Sequence, residues 1–515
     1  MSSDDSLKRI TKGGLIFFIG IIISKILVYI YRLILARTGP EQYGLISLGI
    51  AILGVSTTVS LLGLNQGVIR YISFYKTKKE LLKVKEVIFS AIKLTLPLSL
   101  VITILLVLFS KQISIEFFDN IDLDIVVKVV AIALPFSVLR EIFFNTFISF
   151  EKVQYEVYTK SLIENISKII LTLLFIFLGW KIMGISVAYT LSIIISFFAA
   201  LYLLKTKIFS QIEGKVSAFM INKELILYSL PLLLSNFIFS LMLWTDTLMI
   251  GYFLPESQVG IYNAALPTAF LISMVPTALF TLFVPILIEI YTKKENENFK
   301  IVYKTVTKWV LLLNLVLLST FFLFSKEILS ILFGQEYAIA STSLIILSFG
   351  YFIGYFIGAS QSVLLVFKKT KLILLNTVIM IIGNVVLNFY LIPIYGINGA
   401  AIATAFIFII RAIFLTIETF FITKLVPLKS SFIKIIFSMI IAAIMTKYIS
   451  SKFVPTLFIV LSSILFMIII YLLLLLITRV FEKEDIMIIK TMQQKTGKDF
   501  TKINKILNMF GRNDD

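Results

Sequence analysis

Apolar positions in this chain fall in long continuous blocks, not in the alternation of a half-buried strand or the stripe of a surface helix. A helix needs about 20 apolar residues to cross a hydrocarbon core of about 30 Å. Fourteen blocks of that kind can be read along the chain. Six occupy 13–35, 43–64, 86–109, 125–149, 161–180 and 184–204. Six more occupy 225–254, 260–290, 301–324, 337–367, 372–392 and 396–422. Two stand at the end, at 432–450 and 455–478. The pattern predicts an all-α polytopic membrane protein of about 14 transmembrane helices.

The connections carry the next signal. If successive loops alternate sides, about thirty-two Lys and Arg fall on one side and about six on the other. The rich side holds the N-terminus and the 65–85, 150–160, 205–224, 291–300, 367–371 and 423–434 loops. It also holds the tail from Arg479. Cytoplasmic loops carry such an excess, so both termini are expected in the cytoplasm and the chain in the cell membrane. The first block is long, lacks a small-residue cleavage site and carries Lys25 in its middle, so no cleaved signal peptide is expected. In the tail, Ile503, Ile506, Leu507 and Phe510 follow helical spacing beside Lys498, Lys502 and Lys505. This segment is read as an amphipathic helix on the anionic leaflet or as a solvated tail.

Composition narrows the function. With 59% hydrophobic residues, 15% charged residues and a mean hydropathy of +1.01, a soluble enzyme is excluded. The net charge of +18 is then a topology signal, not a nucleic-acid footprint, and no nucleic-acid partner is expected. The chain has no Cys and no His. That removes thiol nucleophiles, Fe–S clusters, Cys-type zinc sites and the commonest general base. No G-x-x-x-x-G-K-[ST] sequence is present, so no P-loop is expected. No catalytic residue, metal or cofactor is implied, and transport is favoured over chemistry.

The two six-block groups resemble one another. "ILARTGPEQYGLISLGI" after the first block is similar to "MIGYFLPESQVGIYNAAL" after the seventh. Pro40 aligns with Pro255, Gly44 with Gly260, Asn165 with Asn376 and Gly184-Ile185 with Gly396-Ile397. Each copy contains an even number of spans, so both enter from the same side and form parallel repeats. The expected organisation is a cytoplasmic N-terminus (1–12), an N-lobe (13–215), a C-lobe (216–424), spans thirteen and fourteen (425–479) and a tail (480–515). The lobes are expected to be related by a pseudo-two-fold axis and to rock around a cleft.

"LARTGPEQYGLISLGI…LLGLNQGVIRYIS" resembles the N-terminal signature of the polysaccharide (O-antigen type) flippases through Gly39, Pro40, Tyr43, Gly44, Gly63, Leu64 and Arg70. These belong to the multidrug/oligosaccharidyl-lipid/polysaccharide exporter superfamily. "DTLMIGYFLPESQVGIYNAA" is similar to that family's seventh-span signature through Asp246, Gly251, Gly260, Tyr262 and Ala265. "YGINGAAIATA" resembles the opening of its twelfth span. The resemblance implies a two-lobed flippase that moves a polyprenyl-linked glycan across the bilayer, with other glycan-assembly membrane proteins as candidate partners.

Ionisable residues inside the blocks are the candidate site, because each costs about 2.5–3.5 kcal/mol at mid-bilayer on insertion scales. Lys25 and Arg32 lie seven residues apart on one face of the first span, where they would receive an anion such as a lipid-linked phosphate. Arg140 and Glu141 are adjacent in the fourth span and cannot satisfy each other well. Glu164 and Lys168 form an i, i+4 pair in the fifth. Arg411 in the twelfth precedes Glu418 by seven residues. Lys25, Arg32, Arg140, Lys168 and Arg411 are therefore the expected substrate contacts. Glu141, Glu164, Asp246 and Glu418 are the expected charge partners or coupling groups. Asp246, at a position often acidic in the superfamily the chain resembles, is read as a partner for Lys25 or Arg32, or as a site for a coupling cation.

Pro267, Pro276 and Pro285 interrupt the eighth span, and Pro97, Pro135 and Pro231 others; each removes a backbone hydrogen bond, so bends are expected. Two further functions remain open. A cation-coupled multidrug exporter would favour an acidic interior and twelve spans. A polyprenyl-dependent glycosyltransferase would need outer acidic residues such as Asp122 and Asp124, but the outer loops are short.

Overall fold

The computed structural model describes residues 20, 22–212, 214, 223–356, 359–427, 429–482 and 485. Every regular element among them is helical. Eleven of these helices are long and apolar enough to cross a membrane. They correspond to the second, third, sixth and all later predicted spans. The amphipathic segment predicted around 503–510 lies outside the described residues.

Of the other three predicted spans, the first is described only in part, and the fourth and fifth are divided. The first is described as helix from residue 22 to 36. The fourth is divided into Asp122–Ala131 and Ala133–Ser149. Its break follows from Pro135, whose ring collides with the carbonyl four residues back, at Ala131. The fifth begins as a π-helix, Val157–Glu164, and continues as an α-helix, Asn165–Phe177. The eighth shows a related break: Glu256–Ala269 passes through a 3₁₀ turn, Phe270–Ser273, into Met274–Thr292. Here Pro276 faces the carbonyl of Ile272 by the same rule. By contrast, Lys223–Phe253 stays helical through Pro231.

The chain forms two compact units, Met1–Asn263 and Ala264–Asp515. In the first, the sixth span packs on the fourth and fifth, and the second span packs on the seventh. That last contact joins the two copies of the repeated motif through their glycines. A methyl at Gly44 would fall 1.8 Å from the carbonyl oxygen of Glu256, and one at Gly260 would fall 2.0 Å from that of Pro40. Only glycine permits so close a backbone approach.

In the second unit, the twelfth span packs on the tenth and eleventh, and the ninth on the tenth and thirteenth. The ninth, Asn296–Leu332, is kinked at Phe324 (φ −127°, ψ 20°). The segment after the fourteenth span turns back onto the ninth. Lys308 is fully buried, donates to Asp485 at 2.5 Å and to the carbonyl of Val480 at 2.9 Å, and lies 3.6 Å from Glu482. Trp309 Nε1 donates to the other Asp485 oxygen at 2.9 Å, and Lys429 pairs with Glu482 at 2.5 Å.

Candidate functional site

Two consecutive spans of the first unit bring five charges together. Arg140 and Glu141 come from the fourth span. Lys160 and Glu164 come from the π-helical start of the fifth, and Lys168 from its α-helical part. Arg140 donates to Glu164, which also accepts from Lys168 at 3.1 Å. Glu141 accepts from Lys160 at 2.9 Å and lies 3.9 Å from Arg140. Arg140, Glu164 and Lys168 are buried. The expected i, i+4 pairing of Glu164 with Lys168 is present, and Arg140 is added to it. Lys168 also sits over the rings of Tyr189 (4.8 Å) and Tyr31 (5.4 Å), which brings in the sixth and first spans. Such cation–π contacts stabilise an ammonium held away from water.

A second knot links the first span to the two repeat motifs. Arg32 donates to Tyr43 Oη at 3.2 Å and reaches the carbonyl of Asn263 at 3.5 Å; Tyr43 donates to the same carbonyl at 2.8 Å. Asp246 accepts from Tyr262 Oη at 2.6 Å. Lys25 is exposed and forms no ion pair among the described residues, with Asp246 or any other carboxylate.

In the second unit, Arg411 donates to the amide oxygen of Gln361 at 2.6 Å. Glu418 accepts from Asn376 at 2.9 Å. The structure does not pair Arg411 with Glu418, although seven-residue spacing places them on one face. Asn384 bonds to Thr404 at 3.0 Å and to Asn388 at 3.2 Å, as polar side chains between membrane helices are expected to do. A groove of about 820 Å³ lined by Leu315, Phe322, Phe349, Phe406 and Met439 is almost wholly apolar, with Lys447 its one charged residue. Its chemistry suits hydrocarbon and not a polar head group.

Lys25, Arg32, Arg411 and Lys93 thus lie within the spans without a carboxylate partner among the described residues, as do Lys304, Lys434 and Lys447 near the ends of theirs. Lys93 is a further such cation, not among the residues expected from the sequence; its Nζ is enclosed without a hydrogen-bond partner among the described residues. Lys160, counted with a loop, and Lys308, counted with an apolar block, were not among those expected residues either. Position within a block was the available signal for Lys93 and Lys308. The acidic pair Asp122 and Asp124 has structural work: Asp124 accepts from Ser110 at 2.5 Å and Lys128 at 2.7 Å, and both aspartates open a helix, where negative charge is favourable. Among the described residues, no group of three or more acidic side chains is arranged to hold a metal.

A family model described as "Polysaccharide biosynthesis protein" matches residues 10–291, and a model described as MatE matches residues 231–394. A protein of Haloferax volcanii, "Probable low-salt glycan biosynthesis flippase Agl15", is 32% identical over 177 residues, which cover 33% of this chain and 36% of that one. A "Putative O-antigen transporter" of Shigella flexneri is 24% identical over 392 residues, covering 73% of this chain and 89% of its own. Among solved structures, the lipid II flippase MurJ in an inward closed conformation superposes with a TM-score of 0.72 at 20% identity, covering 90% of this chain and 98% of that one. At that identity the likeness is one of fold.

Proposed function

Because the chain belongs to the polysaccharide biosynthesis protein family, within the multidrug/oligosaccharidyl-lipid/polysaccharide exporter superfamily, we propose that it carries a polyprenyl-(pyro)phosphate-linked oligosaccharide from the cytoplasmic to the outer leaflet for surface polysaccharide or glycan assembly. The chain is a multi-pass membrane flippase, not an enzyme. The reading for its cargo rests on one observation above all. Lys25, Arg32, Lys93 and Arg411 lie in membrane spans without a carboxylate partner among the described residues. Unpaired cations are costly in hydrocarbon unless they face water or an anion. A lipid pyrophosphate supplies that anion transiently, and its sugars need the same wet path.

In this proposal the two six-span repeats alternate access between the two sides of the cell membrane, with both termini cytoplasmic, while the isoprenoid tail stays in lipid. Lys25, Arg32, Arg140, Lys168 and Arg411 share the head-group charge; Glu141 and Glu164 hold Arg140 and Lys168 when no cargo is bound, and Asp246 and Glu418 serve as coupling groups. The names of the Haloferax and Shigella relatives support a glycan cargo.

Reconstitution of the pure chain in proteoliposomes with a labelled lipid-linked oligosaccharide tests this directly, and transfer to the outer leaflet is expected. Lys25→Ala is expected to lower that transfer at normal expression; unchanged transfer removes Lys25 from the mechanism. The MatE match over 231–394 favours a second reading, cation-coupled drug export. Expulsion of cationic dyes from the same vesicles, with no movement of the glycolipid, would establish it instead.

A further inference from the structure

The charge cluster of the fourth and fifth spans is unbalanced. It holds three cations, Arg140, Lys160 and Lys168, and two carboxylates, Glu141 and Glu164. Glu156, the acidic residue nearest before Lys160, forms no ion pair with the cluster among the described residues. Burial pushes its carboxyl up toward the neutral form, against the pull of Lys160 and with the help of Glu141. One of its oxygens is enclosed without a hydrogen-bond partner among the described residues. A surplus cation at a buried site favours occupation by an anion.

The geometry also says where that anion sits. A single oxygen of Glu141 lies 2.9 Å from Lys160 Nζ and 3.9 Å from an Arg140 nitrogen. The carboxylate thus fills the position between an ammonium and a guanidinium that a phosphate oxygen would take. Arg140 is 5% exposed, yet its Nε has no hydrogen-bond partner among the described residues. A donor fixed and unused in this way has an acceptor missing.

Lys160 is the cluster's open edge. Its side chain is 40% exposed, against 8% for Lys168 and 6% for Arg140. It is also carried by the eight-residue π-helix, Val157–Glu164. π-Helical turns are rare and concentrate at functional sites, where the widened turn places side chains that an α-helix would rotate away.

We propose that Lys160 is an anion-exchange residue: at rest its ammonium is held by Glu141, and a lipid phosphate or pyrophosphate takes it over by displacing that carboxylate, gaining Arg140 as a second donor. This rests on the flippase reading and adds to it the residue that first grips the head group and the resident carboxylate that keeps the grip closed.

The test is a reversal of sign. Full-length protein in neutral phosphatidylcholine nanodiscs is titrated with a radiolabelled short-chain polyprenyl pyrophosphate, with and without phosphatidylglycerol. Lys160→Gln is expected to weaken binding about tenfold and Lys160→Arg to preserve it. Glu141→Gln, which removes the resident competitor, is expected to tighten binding about tenfold. The double variant is expected to behave like Lys160→Gln. Loss of affinity in Glu141→Gln equal to that in Lys160→Gln overturns the proposal, since a merely structural pair is weakened from either side. Absence of probe binding to the wild type overturns it as well. Competition by phosphatidylglycerol would identify a bilayer lipid as the anion on Lys160; indifference to it would identify the pyrophosphate lipid. A wild type that binds the probe with the expected pattern but does not move a glycolipid counts against the flippase reading alone. If Glu141→Gln fails to fold, Lys160→Gln against Lys160→Arg still decides, because equal affinity in both sinks the exchange role.

Discussion

Each unit buries a cluster of charges, and the two clusters are built on opposite plans. In the second unit two lysines, Lys308 and Lys429, meet two carboxylates, Glu482 and Asp485. Asp485 is fully enclosed and accepts from Lys308, Trp309 Nε1 and the backbone N–H of Glu482. Charge is balanced and both Asp485 oxygens are used. In the first unit three cations meet two carboxylates, Arg140 keeps an unused donor and Lys160 reaches the surface. Ion pairs inside membrane helices are therefore not one kind of evidence. A closed, neutral cluster is a strut that ties the chain after the fourteenth span to the ninth. An open cluster with surplus charge is a place for something else to bind.

The sharpest way to break this contrast is Lys308→Met. It strands Asp485 beside Trp309 with no compensating cation. Removing one partner of a buried pair costs about 3–5 kcal/mol, so a large fall in thermal unfolding temperature in detergent is expected. Replacing both partners, Lys308→Met with Asp485→Leu, is expected to recover most of that loss, because two apolar side chains leave no charge unsolvated. Failure of the double variant to recover would mean that the cluster does more than hold the chain in place.

That strut was not legible in the sequence, and the reason is distance. Lys308 lies within a block read as a span, Asp485 within a segment read as tail, and 177 positions separate them. Spacing rules report only neighbours on one helix. Glu164 and Lys168, four apart, were legible for that reason, whereas the guanidinium of Arg140 that joins them from another span was not. The hydrophobic blocks foretold eleven helical stretches long and apolar enough to cross a membrane, since burial in lipid leaves the backbone no alternative to a helix. Pro135 carried a local signal for the break in the fourth span, through the carbonyl it displaces. The π-helical turn that presents Lys160 has no residue signature of its own, so the edge of the site came into view only with the fold.

Within the open cluster, Arg140→Gln is the next largest effect. Glu164 loses one charged donor but keeps Lys168 at 3.1 Å. A cost of about 1.5–3 kcal/mol is expected, that of a hydrogen bond to a charged group, and smaller than the cost at Lys308. Chemical denaturation of the two single variants in the same detergent checks the order. A larger loss for Arg140→Gln would show that the first cluster is the more structural of the two, and would reverse the comparison.

The smallest effect comes from acid. Burial favours the neutral form of Glu482, but the hydrogen bond from Lys429 and the charge of Lys308 prevail and hold its carboxyl below the usual range. A carboxyl depressed in the folded state contributes stability that is complete above its unfolded pKa of about 4.3 and is lost as pH falls through the lower folded value. Stability of the wild type is therefore expected to fall more steeply than that of Glu482→Gln as pH drops below about 4.3, by no more than the uptake of one proton. Lys429→Met should flatten the acid slope in the same direction, since it removes the hydrogen bond that depresses the carboxyl. Parallel acid slopes in wild type and Glu482→Gln would mean that Glu482 gains nothing from its lysines. The strut would then reduce to the single pair of Lys308 with Asp485, and the balance of charge that sets this cluster apart from the one around Lys160 would have to be drawn from that pair alone.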